Sequence, residues 1–168
     1  MPETADQYKA RLELLLGDRD PLAIQSETYE ILSRLTEGLS ATIYTRSPAP
    51  GKWSIAAILA HLAEDEMVTS FRYRQMIEMD GVPLSAADQD EWARLGDYDS
   101  WPRREALELF RLTRNANLRM LARLTPEEWQ RSGIHTSRGR TTVAGLVRHT
   151  AAHDLNHIAQ IRSALTSG

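Results

Sequence analysis

Along most of the chain, apolar side chains recur at intervals of three and four, the period of a helix that turns one face to a core. From Leu22 to about Thr45 the stripe is Ile24, Tyr29, Ile31, Leu32, Leu35, Leu39 and Ile43, which predicts a first long helix with Pro21 in its first turn. A shorter amphipathic run from Ala5 to Leu16 precedes it and ends at Gly17-Asp18. Ser47-Pro48-Ala49-Pro50-Gly51 cannot continue a helix, because the prolines lack a donor and disfavour helical geometry just before them. Ser54 is the expected cap of a second helix through Ile55, Ile58, Leu59, Leu62, Met67, Phe71 and Met76 to about Met79.

Gly81 to Pro102 breaks into Gly, Pro, Asp and Ser, with one or two helical turns expected between Ala86 and Leu95. A connection of this length does not force the helices it joins to be antiparallel neighbours. Its Trp92, Tyr98 and Trp101 are expected to cover one end of the core rather than face a substrate. A third helix is predicted from Arg103 to Leu124, with Ala106, Leu109, Phe110, Thr113, Leu118 and Leu121 on its apolar side. Thr125-Pro126-Glu127-Glu128 reads as cap, first-turn proline and acidic first turn of a short helix ending near Gln130. Arg131 to Arg140 reads as a polar loop, and Thr142 caps a fourth helix to about Leu165. No strand pattern stands out. The expected fold is therefore all-α: a four-helix bundle, residues 1–168 forming one domain, with short extra helices at the amino terminus and in the connections.

Composition narrows the function. The 168 residues carry a net charge of −3 with signs mixed along the chain, so no basic stripe exists to neutralise phosphates and a nucleic-acid partner is not expected. Without cysteine there is no disulfide, no thiolate-bound metal and no cysteine nucleophile, which leaves histidine and carboxylate as ligand types. The amino-terminal apolar run has no basic leader, and nowhere do 18 apolar residues run together. A cytoplasmic protein with no membrane partner is the expectation.

Candidate chemistry lies in Arg148 to Arg162, where His149, His153 and His157 recur every fourth residue. Residues i and i+4 share a helix face one turn apart, so two adjacent imidazoles of the row can reach one ion while the third drifts away. His61 in the second helix is the natural third ligand. Along its helix it lies about 10 Å past Ser54, while His157 and His153 lie about 12 and 18 Å before Leu165 at 1.5 Å per residue. These depths match when the second and fourth helices are antiparallel.

Pro50-Gly51-Lys52-Trp53-Ser54 leading into His61-Leu62-Ala63-Glu64-Asp65-Glu66, with Thr141-Thr142-Val143 leading into His149, His153, His157 and Gln160-Ile161 about 90 residues later, resembles the DinB/YfiT-like superfamily. The resemblance spans essentially the whole chain. It implies an up-down-down-up bundle, often dimeric, with a divalent metal held by one histidine of the second helix and a pair four apart in the fourth: here His61, His153 and His157. His149 has counterparts in relatives without being a ligand. The chemistry it implies is diverse, covering hydrolases and enzymes that transfer low-molecular-weight thiols or isomerise thiol adducts.

Three neutral imidazoles suit Zn²⁺ or Ni²⁺ and leave a coordination position open, the pattern of a catalytic rather than a structural site. His153-Asp154-Leu155-Asn156-His157 copies the spacing of the zincin motif, but Asp154 replaces its glutamate, which argues against a metalloprotease. No general base is evident: Glu64, Asp65 and Asp154 read as surface residues or as supports behind the ligands, and Gln160 could orient His157. The expectation is a metal-dependent enzyme acting on a small molecule, activating water as a hydrolase or a small thiol as a transferase. The alternative is a non-catalytic bundle that serves as a binding or dimerisation module.

Overall fold

The computed structural model describes residues 4–136 and 139–166. Helix α1, Ala5–Leu16, opens with a capping box in which Thr4 and Gln7 satisfy each other's backbone donors. Asp20 caps α2, Pro21–Thr36, with proline in the first turn. Here the expected helix to Thr45 is corrected: α2 stops at Thr36, and a separate short helix α3, Ala41–Thr45, begins at a new cap, Ser40. Gly38 adopts φ +68°, a conformation that costs glycine little and breaks the helical run. The apolar spacing bridged this break because Leu39 still packs on the core, although Ile43 is exposed.

Helix α4, Ile55–Glu78, starts where Ser54 Oγ accepts a hydrogen bond from the Ala57 amide. Met67 and Phe71, read above as part of its apolar stripe, are exposed. The long connection holds strand β1, Val82–Leu84, helix α5, Gln89–Leu95, and one 3₁₀ turn at Tyr98–Ser100. Helix α6, Arg103–Leu121, is followed by α7, Pro126–Gln130, whose capping box pairs Thr125 with Glu128. Strands β2, Ser132–His135, and β3, Gly139–Thr142, lead into α8, Val143–Thr166, where Thr142 Oγ1 accepts from the Gly145 amide.

Strands β2 and β3 correct the loop expected over Arg131 to Arg140, and β1 corrects the connection after Gly81, where only helical turns were expected. Strand β2 pairs in parallel with β1, Val82 to Gly133 through Leu84 to His135, and antiparallel with β3. At three or four residues each, they are too short to show alternation, and the β1–β2 pairing joins segments far apart in sequence. Gly133 permits the close approach: a Cβ there would lie 2.5 Å from Leu84 Cδ1 and 3.1 Å from Met76 Cγ, so the sheet packs tightly on the end of α4.

Side-chain pairings give the direction of the four long helices. Gln25 meets Val147 and Thr28 meets Asp154, so α2 and α8 are parallel; Thr36 meets Arg103 while Gln25 meets Arg114, so α2 and α6 are antiparallel. His61 meets His153 while Tyr73 approaches Thr150, which makes α4 and α8 antiparallel, as the histidine depths required. The result is an up-down-down-up four-helix bundle. Its main core joins Leu32, Ile58, Leu62, Phe110, Ile158 and Ile161, and α1 lays Leu12 and Leu16 on Ala151 and Ala152 of α8.

Candidate metal centre

His61 projects from the second turn of α4, and His153 and His157 project from one face of α8. All three are buried. His153 Nε2 stands 3.1 Å from the Nε2 of His61 and 3.1 Å from the Nε2 of His157, and the three candidate ligand atoms all lie within 4.8 Å of one another. His149 stacks on His153 with ring centroids 6.2 Å apart but is only half-buried, and the convergent set does not include it.

The surroundings hold these rings ready to act as ligands. His157 Nδ1–H donates to Gln160 Oε1 at 2.9 Å, which turns the Nε2 lone pair inward, and His153 Nδ1 faces Asp65 Oδ2 at 3.7 Å. Trp53 stacks on His157, centroids 6.3 Å apart and planes within 8°, and its ring centroid lies 4.8 Å from that of His61. Burial lowers the His61 pKa; burial, and then His153 and His61, hold His157 well below the ordinary imidazole value. One Nε2–H can serve only one neighbouring ring at a time, whereas a cation among the three Nε2 atoms would use all three lone pairs together. A set of three imidazoles, with no thiolate or carboxylate among them, fits a divalent ion of the zinc or nickel type.

The model of the DinB superfamily matches residues 26–161. The chain belongs to the DinB superfamily. Two proteins of Oceanobacillus iheyensis, provisionally named metal-dependent hydrolases, are similar to it. One is 25% identical over 144 residues, covering 85% of this chain and 83% of its own; the other is 26% identical over 113 residues, covering 67% and 65%. A Halalkalibacterium halodurans protein of the same provisional designation is 23% identical over 134 residues, 80% of this chain and 78% of its own. Among solved structures, YfiT from Bacillus subtilis, described as a probable metal-dependent hydrolase with an unusual four-helix bundle topology, superposes with a TM-score of 0.83. It is 17% identical over 97% of this chain and 88% of the other, a likeness of fold.

Behind the histidines of this DinB chain lies a group that the sequence did not disclose. Arg114 of α6 is 2% exposed and donates to Asp154 at 2.6 and 3.2 Å, to Glu66 at 2.8 Å and to the Gln25 carbonyl at 3.0 Å. Thr28 donates to Asp154 and Asn117 to Glu66. Asp154, read above as a surface or supporting residue, thus lies in the bundle centre, next in sequence to His153. Burial raises the pKa of both carboxyl groups against the opposing pull of Arg114. The available signal was a polar series, Arg114 and Asn117, in register with Ala106 and Phe110; charged residues in such stripes ordinarily mark the solvent face.

A cavity of about 990 Å³ opens onto the triad. Asp65, Trp53 and Tyr98 line it near the histidines, and Arg72 and His135 line it towards the sheet. Tyr98, expected to cover the core end, does so at 2% exposure but also borders the cavity and donates to Glu64 at 2.5 Å. Trp92 also lines it and is partly exposed. Among the described residues, no helix is long and apolar enough to cross a membrane.

Proposed function

We propose that this DinB protein is a metal-dependent hydrolase of a small molecule, with His61, His153 and His157 holding one divalent cation, zinc or nickel. The observation that carries the reading is the meeting of three buried imidazole Nε2 atoms on the lining of a large cavity. The chemistry such a cation supplies is Lewis acidity, which activates water or a thiol and polarises a carbonyl. Gln160 fixes the His157 tautomer, Trp53 walls the triad from one side, and Asp65, whose carboxylate borders both His153 and the cavity, is the side chain placed to receive a proton there. The designations of the curated relatives support hydrolysis. A second reading, transfer of a small thiol, is favoured by cavity size: about 990 Å³ is at the upper end for a single small ligand and leaves room for a cosubstrate.

Two measurements test the reading. Protein purified without a His-tag should contain one divalent ion per chain; His61→Ala, His153→Ala and His157→Ala should each lose it, and His149→Ala should keep it. If His149→Ala loses metal as completely as His153→Ala, the ligand assignment is wrong, and if the metal-replete wild type contains none, a binding or dimerisation module is the better account. Screening esters and amides with and without a panel of small thiols then separates the reactions, since turnover in water alone discards the transferase and turnover that requires thiol discards the hydrolase.

A further inference from the structure

We propose that Arg114 is a positioning residue for the metal centre: by tying Glu66 of α4 to Asp154 of α8, its guanidinium sets the rotation at which His61 and the His153 and His157 pair converge. This rests on the reading that the triad holds a divalent cation. The ligands come from two helices far apart in sequence, so their meeting depends on how each helix is turned about its own axis. At the 5–6 Å radius of a helix with its side chains, a turn of about 10° carries an imidazole nitrogen about 1 Å. That is roughly twice the displacement a functional constellation tolerates. Asp154 follows His153 directly, and Glu66 lies about 7.5 Å beyond His61 along α4 at 1.5 Å per residue. Arg114, from α6, thus grips both ligand-bearing helices close to their ligands.

Burial of Ile58, Leu62, Ile158 and Ile161 drives the helices together but is non-directional, whereas the bonds of Arg114 have fixed angles. Its two Nη atoms take both oxygens of Asp154, a fork that fixes the plane of that carboxylate, and Nη2 also reaches Glu66. Both acceptors are held from a second side, Asp154 by Thr28 at 2.9 Å and Glu66 by Asn117 at 2.7 Å. The guanidinium is held in turn by the Gln25 carbonyl and by the face of Phe110, whose ring centroid lies 4.6 Å from Cζ. A buried ion trio adds little stability over apolar residues of similar volume. What it adds that they do not is a set angle between α4 and α8.

The test uses the full-length chain carrying Arg114→Met, Glu66→Leu and Asp154→Leu together, which removes the cross-link without stranding a buried charge. In metal-free protein, NOEs between the ring protons of His61 and those of His153 and His157 report their convergence; wild type should show them and the triple variant should lose them. Zinc titration should give a Kd at least about tenfold weaker in the triple variant, the lower end of the loss when the support behind metal ligands is removed. Cobalt(II) loaded in place of zinc should show an altered visible spectrum. Arg114→Lys, which keeps a cation but not the fork, should fall between the two. Leu121→Ala, in the cluster at the sheet end of the bundle, is the control for lost stability alone and should keep both the NOEs and the Kd. Wild-type NOEs or wild-type zinc affinity in a folded triple variant overturns the proposal, as does an equal loss in Leu121→Ala; should the triple variant not fold, unchanged NOEs and affinity in Arg114→Lys overturn it. If wild type shows the NOEs but takes up no zinc, the metal reading has failed, and the NOEs alone then decide whether Arg114 positions the rings.

Discussion

At the level of single residues, the protonation of the triad is the sharpest consequence of burial. Burial lowers the pKa of His61 and, joined by the neighbouring imidazoles, holds that of His157 well below 6.5, so a lowered pKa favours the neutral ring down to more acid pH. In the metal-free protein, both rings should still be predominantly neutral near pH 6.5, where an ordinary imidazole is half-protonated, as ring-nitrogen shifts through an NMR pH titration would show. Half-protonation of His157 at pH 6.5 would refute the point. Trp53 gives a second expectation at this scale. It borders the cavity and stacks on His157 while also packing on the core, so Trp53→Ala should retain its metal and bind substrate or its analogues more weakly. Early melting together with metal loss would make Trp53 a core plug instead.

Between elements, the arginine at the centre of the bundle sets the rotation of α8. Arg114 ties α6 to Asp154 of α8 and Glu66 of α4, with Thr28 of α2 on the same carboxylate, so all four long helices meet in one network one residue from His153. Arg114→Met should cost about 3–5 kcal/mol in urea unfolding, because it strands two buried carboxyl groups. Replacing all three at once by Arg114→Met, Glu66→Leu and Asp154→Leu should cost less, since no buried charge then lacks a partner. A loss under 1 kcal/mol for Arg114→Met alone, on the order of an exposed ion pair, would show that the network does not hold the helices.

For the molecule as a whole, the triad spans antiparallel α4 and α8, so a cation bound there would link helices that the sequence separates by about 90 residues. Ligand linkage then predicts that zinc or nickel at a hundred times its Kd stabilises the fold by about 2.7 kcal/mol, which chelation removes. Calorimetric melting with and without chelator measures the shift, which should vanish in His61→Ala and persist in His149→Ala. A shift of equal size in His61→Ala would place the stabilising ion elsewhere.

The helices and the triad were legible because they rest on local periodicity: the i, i+4 pair His153 and His157 shares a face wherever α8 exists, and the depth of His61 requires only helical rise. The resemblance to DinB proteins singled out that pair from the three-histidine row. Local reading missed the stop at Gly38, because Leu39 beyond it still packs on the core and so continued the apolar spacing. Tertiary contact alone decided the remainder. Strands of three and four residues show no period, and β1 finds β2 only after the third helix has intervened. Nothing in the sequence marked Arg114 and Glu66 as buried, and Asp154 read as a surface residue or a support, until three helices place them in one another's reach, where mutual pairing makes their burial tolerable. Arg72 and His135, 63 residues apart, share no sequence pattern; they meet because a parallel strand pair packs on the end of α4 through Gly133. Periodicity along one chain determines which face a residue occupies, whereas the partner opposite that face is decided by long-range packing, which no local spacing records.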